Sequence, residues 1–273
     1  MTATATPVRI ERDGDVAVVV FDKPPLNLFD EEVFTAWERV AAELVALTDP
    51  VRADRARAVL VEAHGKVVSG GVDVSLFSTI AEGPEPVLHG SALWVRLLRT
   101  AQTLEGLQVP TVFAAHGLTL TAAFELALAC DVLIAAERAS FGLVEIVVGL
   151  TPSMGGPQRL AERAGPARAR ELIYTGEHYP AAVLERWNVV NRVLPDEGFA
   201  EAARDYARRV AAGPTVAHAA TKRLVATAVR DGVRAADDAV PAVSGALFAT
   251  ADLRGAVASF LSDGPGKATY EGR

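Results

Sequence analysis

The stretch that decides the reading is Ala115-His-Gly-Leu-Thr-Leu-Thr-Ala-Ala-Phe-Glu-Leu-Ala-Leu-Ala-Cys-Asp131. It leaves a strand at Thr111 to Ala115, turns tightly at Gly117 and enters an apolar helix from about Thr121 to Cys130. One carboxylate, Glu125, stands in that helix among alanines, leucines and a phenylalanine. Burying an unpaired carboxylate is costly, so the position calls either for a cation or for a chemical use. Twenty residues further on, Glu145 lies in Phe141-Gly-Leu-Val-Glu-Ile-Val-Val-Gly149, again between aliphatic neighbours. A structural pairing with Arg138 or Arg159 would account for either carboxylate taken singly. Two of them, across one helix and one strand, favour a shared site, because proton transfer near neutral pH needs carboxyl groups whose environments push their pKa values apart.

The neighbouring elements frame this pair. Val8 to Arg12 and Val16 to Phe21 flank the hairpin signal Asp13-Gly14-Asp15. Asp30 offers an N-cap for a helix carrying Val33, Phe34, Trp37, Val40, Leu44 and Leu47 at helical spacing. A strand at Ala58 to Val61 leads to the small-residue loop Ser69-Gly70-Gly71. This loop and the Gly117 loop both follow strands, where free backbone N–H groups can point at a developing oxyanion. Residues 74–90, with Gly83, Pro84, Pro86 and Gly90, read as a mobile loop before a helix from about Ala92 to Leu104. Val132 to Ala135 is a further strand. From Pro195 onward only helices are expected, over Asp196–Ala211, Pro214–Arg230, Arg234–Phe248 and Thr250–Leu261. Strands alternating with helices, then helices alone, predict an α/β core with a helical C-terminal appendage.

Composition narrows the function. Half of the 273 residues are apolar and 22% are charged, which excludes disorder and a disulfide scaffold. With 27 basic against 34 acidic side chains and no basic run, no nucleic-acid-binding face is expected. Cys130 is the only cysteine, so neither an internal disulfide nor a cysteine-built metal site is expected. Glu125 and Asp131 interrupt the apolar run from Leu118 to Ala136, which argues against a membrane span. The N-terminal residues lack the pattern of a secretory signal, and the expectation is a soluble cytoplasmic protein. Gly-x-Gly-x-x-Gly, P-loop, His-Glu-x-x-His and Gly-x-Ser-x-Gly motifs are all missing, and the five histidines are scattered.

Several segments, in order, resemble the crotonase, or enoyl-CoA hydratase/isomerase, superfamily. Val68-Ser-Gly-Gly-Val-Asp-Val74 is similar to that family's first oxyanion motif, Phe-x-Ala-Gly-x-Asp-Leu. The stretch from Ala115 to Asp131 is similar to the second. Phe141 to Glu145, Gly149-Leu-Thr-Pro-Ser-Met-Gly-Gly-Pro-Gln-Arg-Leu160 and Trp187-Asn-Val-Val-Asn-Arg-Val-Leu-Pro195 resemble the blocks that follow. The resemblance runs from Lys23-Pro-Pro-Leu-Asn27 to the C-terminal Lys267-Ala-Thr-Tyr-Glu-Gly-Arg.

It implies an α/β fold, a crotonase-like spiral of ββα units, with an acyl-CoA site in residues 1–195 and a helical trimerisation region in 196–273. The implied ligand is an acyl-CoA thioester whose carbonyl lies between the N–H groups of Val72 and Ala122, with Gly70, Gly71, Asp73, Val74 and Gly117 lining it. Coenzyme A is then part of the substrate, with no separate cofactor and no metal. Glu125 aligns with the residue that activates water and Glu145 with the one that supplies the α-proton, which points to hydration of a trans-2-enoyl-CoA. Other reactions of the family (isomerisation, thioester hydrolysis) and a non-catalytic partner role are the alternatives. A homotrimer or homohexamer is implied, with Val240, Leu247 and Leu253 partly covered by neighbours. The chain departs from the pattern at Thr121-Ala122-Ala123, where three glycines are usual, and at Phe260-Leu-Ser-Asp263, where Phe-x-x-Lys-Arg is common. With four lysines in all, Lys267 is the candidate for the CoA phosphates, helped by arginine.

Overall fold

The computed structural model describes residues 6–273. The hairpin forms as expected, β1 (Val8–Asp13) pairing antiparallel with β2 (Val16–Phe21). Helix α1 (Glu31–Leu47) starts where Asp30 accepts the Val33 N–H, and its apolar stripe of Val33, Phe34, Trp37, Val40 and Leu44 is buried. Strand β3 (Ala58–Ala63) follows. The segment read as a mobile loop is instead largely helical: α2 (Ser75–Glu82) and α3 (Pro86–Gly106) meet at Gly83-Pro84-Glu85. Pro86 sits in the first turn of α3, where its missing N–H costs nothing, so a residue that reads as a breaker starts a helix here.

Next come β4 (Thr111–Ala115), the short β5 (Thr119–Leu120), α4 (Ala122–Ala129), β6 (Val132–Ala136) and β7 (Ser140–Gly142). After a 3-10 turn at Glu145–Val148 the chain forms α5 (Gly156–Ala164), α6 (Pro166–Thr175), β8 (Tyr179–Pro180), α7 (Ala181–Arg186) and β9 (Arg192–Leu194). The remainder is helical: α8 (Phe199–Ala211), α9 (Thr215–Asp231), α10 (Val233–Gly245) and α11 (Ala251–Asp263).

The main sheet has six strands in the order β1-β2-β3-β4-β6-β9, parallel except for the first pair, and a small sheet joins β5, β7 and β8. Both faces of the main sheet are covered, which is why β2, β3 and β4 read as continuous apolar runs rather than alternating ones. One face packs against α1, α3 and α4; the other is closed by α8 through Phe199, Ala203, Ala207 and Ala211. Helix α4 is buried along its whole length, and its single charged residue is Glu125. The last helices differ: α9 and α11 bury almost nothing, and Val225, Val229, Phe248, Phe260 and Leu261 are exposed. The C-terminal tail returns to the core, where the buried Asp252 accepts the N–H groups of Glu271 and Gly272, and Arg57 donates to Tyr270 O, Gly213 O and Thr215 Oγ1. Among the described residues no helix is long and apolar enough to cross a membrane.

Candidate active site

Glu125 lies in the first turn of α4 and is 2% exposed. Its carboxylate accepts the N–H of Met154 at 2.8 Å and of Gly156 at 2.6 Å, both from the loop entering α5. Burial drives its pKa up to about 7, against the pull of these backbone donors. A Cβ on Gly156 would come within 2.9 Å of the Glu125 side chain, so only glycine permits this approach. Neither Arg138 nor Arg159 pairs with it. The guanidinium of Arg159 binds Glu105 at both oxygens, and its third nitrogen donates to Met154 O. Arg138 donates to His116 O.

Glu145 opens the 3-10 turn after β7. Its Oε2 is closed to water and has no hydrogen-bond partner. Burial raises its pKa to about 8, and the charge of Glu125 adds to the rise, which brings the two carboxyls into one electrostatic neighbourhood. They differ in one respect: Glu125 Oε2 accepts two N–H groups from the loop entering α5, whereas Glu145 Oε2 has no partner among the described residues.

The two loops meet beside them. Asn27 is buried with φ +50° and donates to the carbonyls of His64, Val67 and Val68. Ser69 donates to Asn27 O, and its Oγ accepts the Gly71 N–H. Gly70 N donates to Leu26 O, Leu120 N to Ser69 O, and Gly117 O accepts the hydroxyl of Thr119. Gly71, at φ +109°, turns the chain so that Val72 bridges to Phe29. Asp73 accepts the Ser75 N–H and starts α2.

Neither Val72 N nor Ala122 N donates to a protein acceptor among the described residues. Thr121, just before Ala122, sits against Gly71, just before Val72: its Oγ1 lies 3.2 Å from where a Gly71 Cβ would be. The replaced glycines therefore matter unequally. Positive φ falls on Thr121 (φ 49°, ψ −122°), whereas Ala122 begins α4 and bears its methyl without strain. Thr121 Oγ1 is also buried without a partner, which costs about 1–3 kcal/mol.

An apolar cavity of about 580 Å³ opens from Val74 between α2 and α3, with Phe77, Leu93, Trp94, Val148 and Leu150 in its wall. Phe77 and Trp94 pack at 5.7 Å between centroids. Its polar lining side chains are two serines, Ser78 and Ser91. A larger cavity, about 690 Å³, lies beside α8. Neither cavity's lining includes Glu125 or Glu145, but the apolar one reaches Val148 in the 3-10 turn that Glu145 opens, whereas the larger one is lined by groups already engaged, such as the Arg204–Glu62 pair and Arg138.

Several site residues carry little signal in the sequence. Asn27 and Ser69 lie within motifs but act by tying backbone to backbone. Met154 and Gly156 contribute only N–H groups, and only the quoted block from Gly149 to Leu160 hints at them. Phe77 and Trp94 lie seventeen residues apart on two helices.

Known proteins show where the chain belongs. The family model described as "Enoyl-CoA hydratase/isomerase" matches residues 11–271. The chain is 30% identical over 231 residues to the probable enoyl-CoA hydratase echA8 of Mycobacterium tuberculosis, covering 83% of this chain and 85% of that one. It is 32% identical over 233 residues to a carnitinyl-CoA dehydratase of Salmonella arizonae, covering 83% and 84%. The crystal structure of enoyl-CoA hydratase subunit I from Geobacillus kaustophilus superposes with a TM-score of 0.85 at 27% identity over 98% of both chains. The mixed α/β architecture with its C-terminal helices is thus the crotonase fold, and the chain belongs to the enoyl-CoA hydratase/isomerase family.

Proposed function

We propose that the protein adds water across the C=C bond of a trans-2-enoyl-CoA to give a 3-hydroxyacyl-CoA, using no resident cofactor. The observation that carries this reading is a buried carboxyl, Glu125, whose charge two backbone N–H groups receive, and a half-buried one, Glu145, whose Oε2 has no partner among the described residues, beside two free backbone N–H groups. Glu125, held by Met154 N and Gly156 N, ionises the more readily and takes a proton from water as the water oxygen bonds to C3. Glu145, without a partner at Oε2, keeps its proton and delivers it to C2. Charge that accumulates on the thioester oxygen is met by Val72 N–H and Ala122 N–H. The step leaves Glu125 protonated and Glu145 ionised; a net proton shift from Glu125 to Glu145 completes the cycle. Gly70, Gly71, Asp73 and Gly117 shape the thioester's surroundings, and Val74 leads to the apolar cavity. The lack of charged groups in that cavity supports an uncharged aliphatic or aromatic acyl group.

The family membership and the exposed apolar residues of α9 to α11 support self-assembly as a homotrimer or a pair of trimers.

Turnover of an enoyl-CoA panel, followed by loss of the enoyl-thioester absorbance, tests the reaction. Glu125→Gln and Glu145→Gln should each lower kcat by about 10²–10⁴-fold while leaving acyl-CoA binding in place. The double variant should lose far less than the product of the two, because both groups serve one water. Glutamine variants that turn over like the wild type would make both carboxyls structural.

A further inference from the structure

Three properties coincide at Thr121. It is a β-branched residue at φ 49°, it is 5% exposed, and its hydroxyl has no partner. With ψ at −122°, tetrahedral geometry at an L-Cα turns the Cβ almost into eclipse with the nitrogen of residue 122, so the side chain stands beside the Ala122 N–H. On the other flank Oγ1 lies 3.2 Å from the Cβ position of Gly71, whose carbonyl carbon bears the Val72 nitrogen. The hydroxyl therefore lies beside the two free backbone donors, on the side of Gly71. A glycine here would place no hydroxyl beside these donors, and a threonine at a helical or extended ψ would turn its Cβ away from the Ala122 nitrogen.

Buried polar groups nearly always have partners, and a hydroxyl can rotate its proton towards whichever acceptor enters. Among the described residues Thr121 Oγ1 has no partner, and the Val72 and Ala122 N–H groups beside it are likewise free. We propose that the Thr121 hydroxyl is a third hydrogen-bond donor to the substrate's thioester oxygen, acting with Val72 N–H and Ala122 N–H as that oxygen gains negative charge. This rests on the acyl-CoA reading above and adds a side-chain donor to the backbone pair. A donor already fixed in a water-free site stabilises developing charge without reorganising at the moment of reaction. The strained φ/ψ pair of Thr121 includes the ψ of −122° that sets its side chain beside the Ala122 N–H.

Two hydroxyl-free variants, Thr121→Val and Thr121→Ala, and one hydroxyl-bearing variant, Thr121→Ser, separate a donor from a space-filling wedge. Enoyl-CoA kinetics give kcat and KM. The carbonyl stretching frequency of bound, isotopically labelled octanoyl-CoA, which has no double bond to hydrate, reports polarisation of the thioester without turnover. Thr121→Val and Thr121→Ala should lower kcat by about 10²-fold with KM little changed, and move the bound carbonyl frequency back towards its value in water. Thr121→Ser should retain most of both. Thr121→Val matching the wild type in kcat and carbonyl frequency overturns the proposal, as does an effect confined to KM. If the wild type polarises octanoyl-CoA but hydrates no enoyl-CoA, the hydration reading falls while the carbonyl measurement still decides the role of Thr121. A wild type that binds no octanoyl-CoA overturns both.

Discussion

Glu125 and Glu145 both hold a proton more tightly than a carboxyl in water, and in each case burial is the larger cause. The backbone donors of Met154 and Gly156 ease ionisation of the first, while the charge of the first opposes ionisation of the second. The pair thus passes through a state with a single proton between its apparent pKa values of about 7 and about 8. Hydration needs that state, so kcat/KM against pH should be a bell with limbs in this range; a profile flat from pH 6 to 9 would sink the acid/base assignment. The sign for stability follows from the same shifts. The folded pKa values lie above the ordinary carboxyl value of 4.5, so the native state binds more protons than the unfolded one through this interval. Their stabilising contribution is complete in mild acid and is lost as pH rises through about 7 and about 8. The wild-type Tm should therefore fall more steeply from pH 6 to 9 than that of Glu145→Gln, and parallel curves would contradict this.

The elements matter through their ends. Helix α4 brings Glu125 inside because all eight of its residues are buried, and the start of α5 supplies the N–H groups that receive the carboxylate. Gly156→Ala places a methyl within 2.9 Å of the Glu125 side chain. Since displacing a catalytic group by about 1 Å can cost about 10²-fold, kcat should fall by that order, with the far-ultraviolet circular dichroism retained. Wild-type kcat in this variant would mean that the α5 entry does not position Glu125. Strand and helix assignments were legible wherever apolar periodicity was strong, as at β1, β2, β4 and α1. They failed at residues 74–90, because α2 has no buried residue to leave a core-facing stripe and Pro86 signals a break where it starts a helix.

At the scale of the whole molecule, the C-terminal helices are unfinished. Helix α8 seals one face of the sheet, whereas α10, α11 and the 3-10 turn Ala246–Ala249 between them leave Val233, Phe248, Phe260 and Leu261 open, Phe248 at 78% exposure. Val240 is exposed, and Leu247 and Leu253 are half-buried within one chain. Multi-angle light scattering at micromolar concentration should give a mass that is a multiple of three chains, and Phe248→Glu should shift it towards the monomer. A wild type that elutes as a monodisperse monomer would refute assembly through these helices.

What the sequence determined by itself was the order of elements over most of the chain, the two carboxylates that stand out in apolar surroundings, and the two loops rich in small residues. Each of these is a local pattern, readable because burial and backbone freedom leave compositional traces at neighbouring positions. Only the tertiary structure decided what those features do to one another. Folding engaged Arg138 and Arg159 elsewhere and gave Glu125 backbone N–H groups, left Glu145 Oε2 without a partner among the described residues, and set the strain of the missing glycines on Thr121 rather than Ala122. It also closed an apolar cavity from two helices that the proline and glycine content had disguised. Contacts between residues distant in sequence fix desolvation, hydrogen-bond partners and charge separation, and those three quantities set the chemistry of the site.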